Sequence, residues 1–309
     1  QTAEVMRRFE PVIDTHRPSC VLVVGDVNST LACTLVSVKR GIPVVHVEAG
    51  LRSYDRAMPE EINRVLTDQI ADLLYTTERS AENNLIREGI APERIRFVGN
   101  VMIDSLLHNR EFARTPTETV AANGRDPELL ACDAGYGVVT LHRPSNVDDA
   151  ETLTSLLGVL RELAHQLPLV FALHPRTRAN IERFGLGPLI DNPQLILLPP
   201  QGYLEMLGLM AGARIVLTDS GGLQEETTAL GIPCLTMREN TERPITVEQG
   251  TNTMVGRDTT AIRQQADEIL AGRGKQGKLP ELWDGHAAER IATDLAAWLL
   301  DRHFVNAKA

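Results

Sequence analysis

Short runs of β-branched and aliphatic residues recur along most of the chain, each followed by a longer amphipathic stretch. This alternation restricts the fold more than any other feature. The runs are Val21 to Val24, Val44 to Val47, Leu73 to Tyr75, Ile95 to Val98, Gly137 to Leu141, Leu169 to Leu173, Leu195 to Leu198, Ile215 to Thr218 and Cys234 to Met237. Such runs suit strands of a parallel sheet, and the intervening segments supply the crossover helices. Between residues 112 and 135 turn formers dominate and the strand signal fades, so a hinge or linker is expected there. A chain of 309 residues holds two domains comfortably. The expected architecture is α/β, with two Rossmann-like, doubly wound domains facing a cleft. Residues 1–115 form the first domain and 116–285 the second. In the remaining 286–309, the amphipathic helix His286 to Phe304 packs on either one.

Composition narrows the function classes. The formal charge of −10, with no Lys/Arg-dense run to offset it, excludes a nucleic-acid surface. The longest apolar stretches are of strand length, far short of a membrane span, and no signal peptide is visible. Cys20, Cys33, Cys132 and Cys234 lie far apart without a Cys-x-x-Cys pair, which favours reduced structural thiols in a cytoplasmic protein over disulfides or zinc. Neither the turn Val23 to Thr30 nor any other segment supplies G-x-G-x-x-G, so no nicotinamide or flavin cofactor is expected. No cluster has metal-ligand spacing either.

Polar residues concentrate where the strands end. Asp26, Glu48, His142, His174 and Ser220 each follow a different strand, and in open α/β sheets that carboxyl edge is where ligands bind. Any one of them alone fits an ordinary turn or cap. The stretch Thr218 to Pro233, TDSGGLQEETTALGIP, adds a turn with Ser220, Gly221 and Gly222 that opens a helix, the usual way of holding a nucleotide phosphate. Glu225 and Glu226 follow one turn later, and a carboxylate there suits the ribose hydroxyls. Read alone, the same stretch is also a plain capped helix. In MPEEINR, Met58 to Arg64, Pro59 suits the first turn of a helix, with Glu60 and Glu61 near its positive end. The plain reading of Arg64 is an exposed i,i+3 or i,i+4 salt bridge.

GDVNST (25–30), HVEAGLRS (46–53), MPEEINR (58–64), TLHRPSNVD (140–148), HPRT (174–177), TDSGGLQEE (218–226) and RENTERPITVEQGTN (238–252) occur in this order. Together they resemble the non-hydrolysing UDP-N-acetylglucosamine 2-epimerases over nearly the whole chain. The resemblance implies a glycosyltransferase-B type fold, a homodimer, a UDP-sugar substrate and no cofactor. It places Asp26, Glu48 and Glu60 at the sugar-reacting centre and His142 at a catalytic position beside the diphosphate. Arg143, Ser220, Gly221, Gly222 and Glu226 fall on the UDP. Arg143 and His174 occupy positions that in some bacterial members touch a second, activating substrate molecule. Which carboxylate is acid and which is base stays open, as does the choice between N-acetylglucosamine and its 3-acetamido or uronic acid analogues.

Members of that family ordinarily begin with a strand leading into a Gly-x-Arg-Pro-Glu segment, whereas this chain starts with QTAEVMRRFE. The expectation is therefore an N-terminally truncated first domain lacking about 70 residues of a βαβαβ half, with an exposed sheet edge. Ile245 and Ser145 stand where relatives more often carry acids. Two other classes fit the same pattern: a glycosyltransferase of this fold, and a catalytically inactive UDP-sugar-binding protein.

Overall fold

The computed structural model describes the backbone of residues 1–306 and the side chains of residues 1–301. It is an α/β chain with two all-parallel sheets of four and six strands. The strands are β1 Val21–Val24, β2 Val44–Ala49, β3 Leu73–Thr76, β4 Ile95–Phe97, β5 Gly137–Thr140, β6 Leu169–Ala172, β7 Leu195–Leu198, β8 Ile215–Thr218, β9 Cys234–Thr236 and β10 Asn252–Met254. All nine expected strands are present. The tenth was not legible because its three residues, Asn-Thr-Met, contain no apolar run. The chain divides into two compact units, one of Gln1–Asp104 with the chain from Pro280 onward, the other of Ser105–Leu279.

In the first unit the strands lie in the order β1-β2-β3-β4. Successive residues point to opposite faces of a strand, which sorts the core into two clusters. Val44, Ala49 and Leu74 pack with Leu85 and Ile90 on one side. Val45, Val47, Leu73 and Tyr75 pack with Ile291 on the other, where Leu295 and Trp298 join them. The C-terminal helix Ala287–Asn306 thus covers one face of this sheet. Its first turn is tied down by Asp104, whose carboxylate accepts from the Ala287 and Ala288 amides at 3.1 and 2.6 Å. Among the described residues β1 pairs with β2 alone, and it leaves Leu22 and Val24 exposed.

The second sheet runs β7-β6-β5-β8-β9-β10, so the direction of strand addition reverses between β5 and β8. Val139, Phe171 and Leu217 fill one face with Leu153, Leu156 and Leu160 of the Ala150–Leu163 helix. Val138, Val170, Ile196 and Val216 fill the other with Leu209 and Met210. The turn-rich stretch 112–135 contains the Pro116–Ala122 helix, which starts on a capping box between Thr115 and Glu118 and buries Val120 against the second cluster.

Trp283 is the largest fully buried side chain, and its indole Nε1 donates to the Thr77 carbonyl at 3.1 Å. It ties the segment returning from the second unit onto the first. Trp283→Ala is expected to cost about 3–5 kcal/mol, read as a lower urea midpoint for the first unit's transition.

Candidate active site

The reversal between β5 and β8 is the topological switch point of the second sheet, where doubly wound folds bind ligands. The last pair of the two strands is Thr140 and Thr218, whose hydroxyls lie 2.6 Å apart. The chain beyond each strand is organised by one buried carboxylate, Asp219. It accepts from the His142 amide at 3.1 and 3.0 Å, the Arg143 amide at 2.9 Å and Asn146 Nδ2 at 3.1 Å. It also pairs with His142 Nδ1 at 2.8 Å. Burial alone would raise the Asp219 carboxyl. The hydrogen bond and charge of His142, with the two amides, outweigh burial and hold it below the ordinary carboxylate range. With Nδ1 engaged, Nε2 is the ring atom of His142 left to face a ligand.

His174, at the end of β6, caps the Pro175–Arg183 helix through Nδ1, which accepts from the Arg176 amide at 3.2 Å. Its ring lies 5.6 Å from that of His142. Arg143 Nε is buried and makes no hydrogen bond among the described residues.

Ser220 is the N-cap of the Gly221–Leu230 helix, and its side chain makes no cap bond, so the hydroxyl is available. Gly221 is required for space: a Cβ there would stand 2.6 Å from Glu242 Oε1. Glu242 belongs to a buried chain of alternating charge. It pairs with Arg238 Nη2 at 2.8 Å and Arg243 Nη1 at 3.1 Å, and Arg243 Nε reaches Glu225 at 2.7 Å. Burial would raise the Glu242 carboxyl, yet Arg243 and Arg238 depress it to about 2. Gln224 fastens this motif to the helix, its Oε1 accepting from Thr241 at 2.7 Å and from Asn252 at 3.1 Å. Glu226, also buried, is a different case. Burial pushes its carboxyl up to about 7, opposed by a bond from the Tyr203 hydroxyl and assisted by the charge of Glu225.

In the first unit, Gly25 (φ +69°) turns the chain at the end of β1 and presents Asp26. Arg64 grips Asp26 Oδ2 through Nε at 3.2 Å and Nη2 at 2.5 Å, while Asn63 Nδ2 donates to the Asp26 carbonyl at 2.9 Å. Arg64 Nη1 also pairs with Glu61 at 2.7 Å, and both of those side chains are buried. Glu61 in turn holds the 53–54 turn, accepting from the Ser53 amide and hydroxyl and from the Tyr54 amide at 2.9–3.0 Å. The exposed-pair reading of Arg64 is therefore corrected: the i,i+3 pair exists, but it is buried and serves Asp26. Glu48 adopts φ +74° at a bulge where β2 slips against β3 between Val47 and Ala49. A non-glycine residue there stores about 1–3 kcal/mol of strain, of the kind that re-aims a side chain at a functional site. Its Oε2 lies 3.3 Å from where a Cβ on Gly25 would stand, so the Asp26 turn and the Glu48 carboxylate are neighbours. Glu60 is half-buried in the first turn of the Pro59–Ile70 helix and is not tied to the Asp26–Arg64 pair.

The structure thus gathers His142, Arg143, His174, Ser220 and Gly221 around the switch point, with Gly222 in the first turn and Glu226 further along the same helix. It sets Asp26 beside Glu48. Sequence reasoning passed over Asp219, although it is the first polar residue after β8. It also left Glu242, Arg243 and Tyr203 without roles. Arg243 reaches Glu225, 18 residues away, and Tyr203 reaches Glu226, 23 residues away, whereas Glu242 pairs with Arg238 and Arg243 of its own segment.

A doubly wound sheet with a helix opening on Ser220, a histidine and an arginine at its switch point, and a separate unit in which Asp26 and Glu48 are neighbours, define an α/β protein with the features of a nucleotide-linked substrate site. The sequence profile of the UDP-N-acetylglucosamine 2-epimerases matches residues 1–296. The UDP-N-acetylglucosamine 2-epimerase of Methanocaldococcus jannaschii is 42% identical over 294 residues, covering 94% of this chain and 79% of that one. The UDP-2,3-diacetamido-2,3-dideoxy-D-glucuronate 2-epimerase of Pseudomonas aeruginosa is 41% identical over 298 residues, covering 96% and 79%. A crystal structure of the M. jannaschii enzyme in complex with UDP-GlcNAc and UDP superposes with a TM-score of 0.84 at 39% identity, over 96% of this chain and 80% of that one. The chain belongs to the UDP-N-acetylglucosamine 2-epimerase family, a family of isomerases. Among the described residues no group of His, Cys, Asp and Glu is arranged to hold a metal ion, and no helix is long and apolar enough to cross a membrane.

The depressed carboxyl of Glu242, at about 2 against an ordinary 4.5, stabilises the fold above pH 4.5 by about 3 kcal/mol, and that contribution is lost as the pH falls towards 2. Glu242→Gln is accordingly expected to lower the unfolding free energy by about this amount at neutral pH. The gap to the unsubstituted protein should close progressively as urea titrations are repeated at lower pH.

Proposed function

We propose that the chain inverts C2 of UDP-N-acetylglucosamine, interconverting it with UDP-N-acetylmannosamine. Family membership supports the reaction class. The observation that carries the site assignment is Glu48, held in a strained conformation with its carboxylate against the turn that presents Asp26.

No side chain is basic enough to take the C2 hydrogen from a resting sugar, so the anomeric bond must loosen first. In this proposal the C1–O bond breaks and its electron pair leaves on the β-phosphate oxygen of UDP. A carboxylate takes the C2 proton, and the electrons of the C–H bond form the C1=C2 bond of a glycal. Return of a proton to the opposite face of C2, with addition of the UDP oxygen to C1, completes the inversion. The sequence is redox-neutral and calls for no cofactor. Asp26, Glu48 and Glu60 share the acid and base roles and stabilise the cation-like centre as charge develops. Ser220, the free amides of the Gly221–Leu230 helix at Gly221 and Gly222, Arg143 and His142 meet the departing diphosphate. Glu226 accepts from the ribose hydroxyls. Arg143 and His174 together supply the contact for a second, activating UDP-sugar.

The sugar itself has a second reading, because the P. aeruginosa relative named for a diacetamido uronate is nearly as similar as the one named for UDP-N-acetylglucosamine. The proposal further takes the protein to be a cytoplasmic homodimer, consistent with four unpaired cysteines; light scattering decides the dimer.

Incubation with UDP-N-acetylglucosamine in deuterated water, followed by NMR, tests the reaction. Deuterium at C2 with UDP retained is the expected result. Free sugar would indicate hydrolysis, transfer to an added acceptor a glycosyltransferase, and binding without exchange a non-enzyme. Asp26→Asn, Glu48→Gln and Glu60→Gln are each expected to slow the exchange by about 10²–10⁴-fold while UDP affinity changes by less than about 3-fold. Undiminished exchange in all three would overturn the assignment.

Glu226 supplies a pH test. Burial pushes its carboxyl up to about 7, and ionisation turns both of its oxygens into acceptors for the ribose hydroxyls, where the protonated form would give one of them over to an O–H donor. Glu226→Gln is expected to bind UDP more weakly than the unsubstituted protein at pH about 8.5, and the difference to vanish as pH falls well below 7. A difference independent of pH in isothermal titration calorimetry would remove Glu226 from the ribose.

A further inference from the structure

His46 lies on β2 two residues before Glu48 and is completely buried. Its Nδ1 is 2.6 Å from Asp68 Oδ1 and its Nε2 is 2.8 Å from the Gly25 carbonyl oxygen. A carbonyl oxygen can only accept. Asp68 is held as a carboxylate: its other oxygen, Oδ2, takes the Arg52 Nη1 contact at 2.7 Å and the Gly50 amide at 3.1 Å, and the neighbouring cations keep its carboxyl below the ordinary range despite burial, so Oδ1 faces the ring as an acceptor. Both ring nitrogens of His46 must therefore donate, which requires the imidazolium. Burial works against that charge, but Asp68, the Gly25 carbonyl and Glu48 together raise the His46 pKa above its ordinary value, and Asp68 is held low in turn. The chain of charge continues outward through Arg52, which forks onto Glu88 at 2.8 and 2.6 Å. Glu88 is the one member that meets solvent.

An apolar side chain at position 46 would fill a sheet core with less desolvation. What the charged arrangement does instead is bracket Glu48. Asp68 binds His46 on one side of it and the Gly50 amide on the other, and His46 clamps the Gly25 turn against which the Glu48 carboxylate rests. Strained backbone persists only where its surroundings over-determine it, and this bracket does so.

We propose that His46 is a positioning residue for the reaction: a permanent imidazolium, anchored by Asp68, that fixes the Gly25 turn carrying Asp26 and places a positive charge beside Glu48. The proposal rests on reading Asp26 and Glu48 as reacting acids, but its first test does not. In protein labelled with ¹⁵N-histidine, both ring nitrogens of His46 should keep imidazolium shifts from about pH 6 to about pH 9, far above the ordinary titration of a histidine. In Asp68→Asn one of them should move to the neutral range. A His46 ring that titrates like a free histidine in the unsubstituted protein overturns the proposal, whatever the enzyme does.

The second test is kinetic. His46→Gln keeps an N–H that can reach the Gly25 carbonyl and removes the charge. It is expected to lower kcat for C2 exchange by about 10²-fold with KM and UDP affinity almost unchanged. Asp68→Asn should fall in the same direction. Wild-type kcat in His46→Gln would refute the positioning role while leaving the epimerase reading intact. Absence of C2 exchange in the unsubstituted protein would refute that reading and leave the charge state of His46 to the NMR result.

Discussion

Every strand in both sheets runs the same way, and a parallel strand can return only through a crossover that delivers the chain again to the same edge. Each carboxyl end therefore opens on one side of its sheet, and the residues that follow β1, β2, β5, β6 and β8 are brought to those edges whatever their distance in sequence. The reversal between β5 and β8 splays the crossovers to either side. That puts the loops carrying His142 and Ser220 next to each other across an open crevice.

On this frame, buried carboxylates do the fine placement. Asp68 and Asp219 have no exposed side-chain surface, and Glu242 has almost none. Each would be strongly destabilising if left alone, and each is met by donors or cations: Asp68 and Asp219 by groups from distant segments, Glu242 by the flanking Arg238 and Arg243. Asp219 fixes the turn after β5, Glu242 sits against the start of the helix after β8, and Asp68 brackets the strained Glu48. Apolar packing of Val, Leu and Ile supplies the stability of the sheets, and the carboxylates set the geometry of their edges.

Much of this was legible in the sequence because it is local. Nine strands were marked by their own apolar runs, and Asp26, Glu48, His142, His174 and Ser220 by their place just after them. The Asn252–Met254 strand was not, since it forms by pairing with β9 rather than by its own composition. Arg64 read as a surface partner of its own helix. Only folding reveals that it is buried and grips Asp26, 38 residues away. Asp219 was hidden beside a more conspicuous serine, and the positive φ of Glu48 has no signature in a stretch whose next glycine is the obvious turn.

The sequence by itself determined the class of fold, the order of its elements and the family, because hydrophobic period and ordered motifs depend on neighbours along the chain. Only the tertiary structure decided which ionisable groups are charged, strained or held. Those states depend on how much water is excluded and on which opposite charges arrive from distant segments, and neither quantity exists until the sheets have formed.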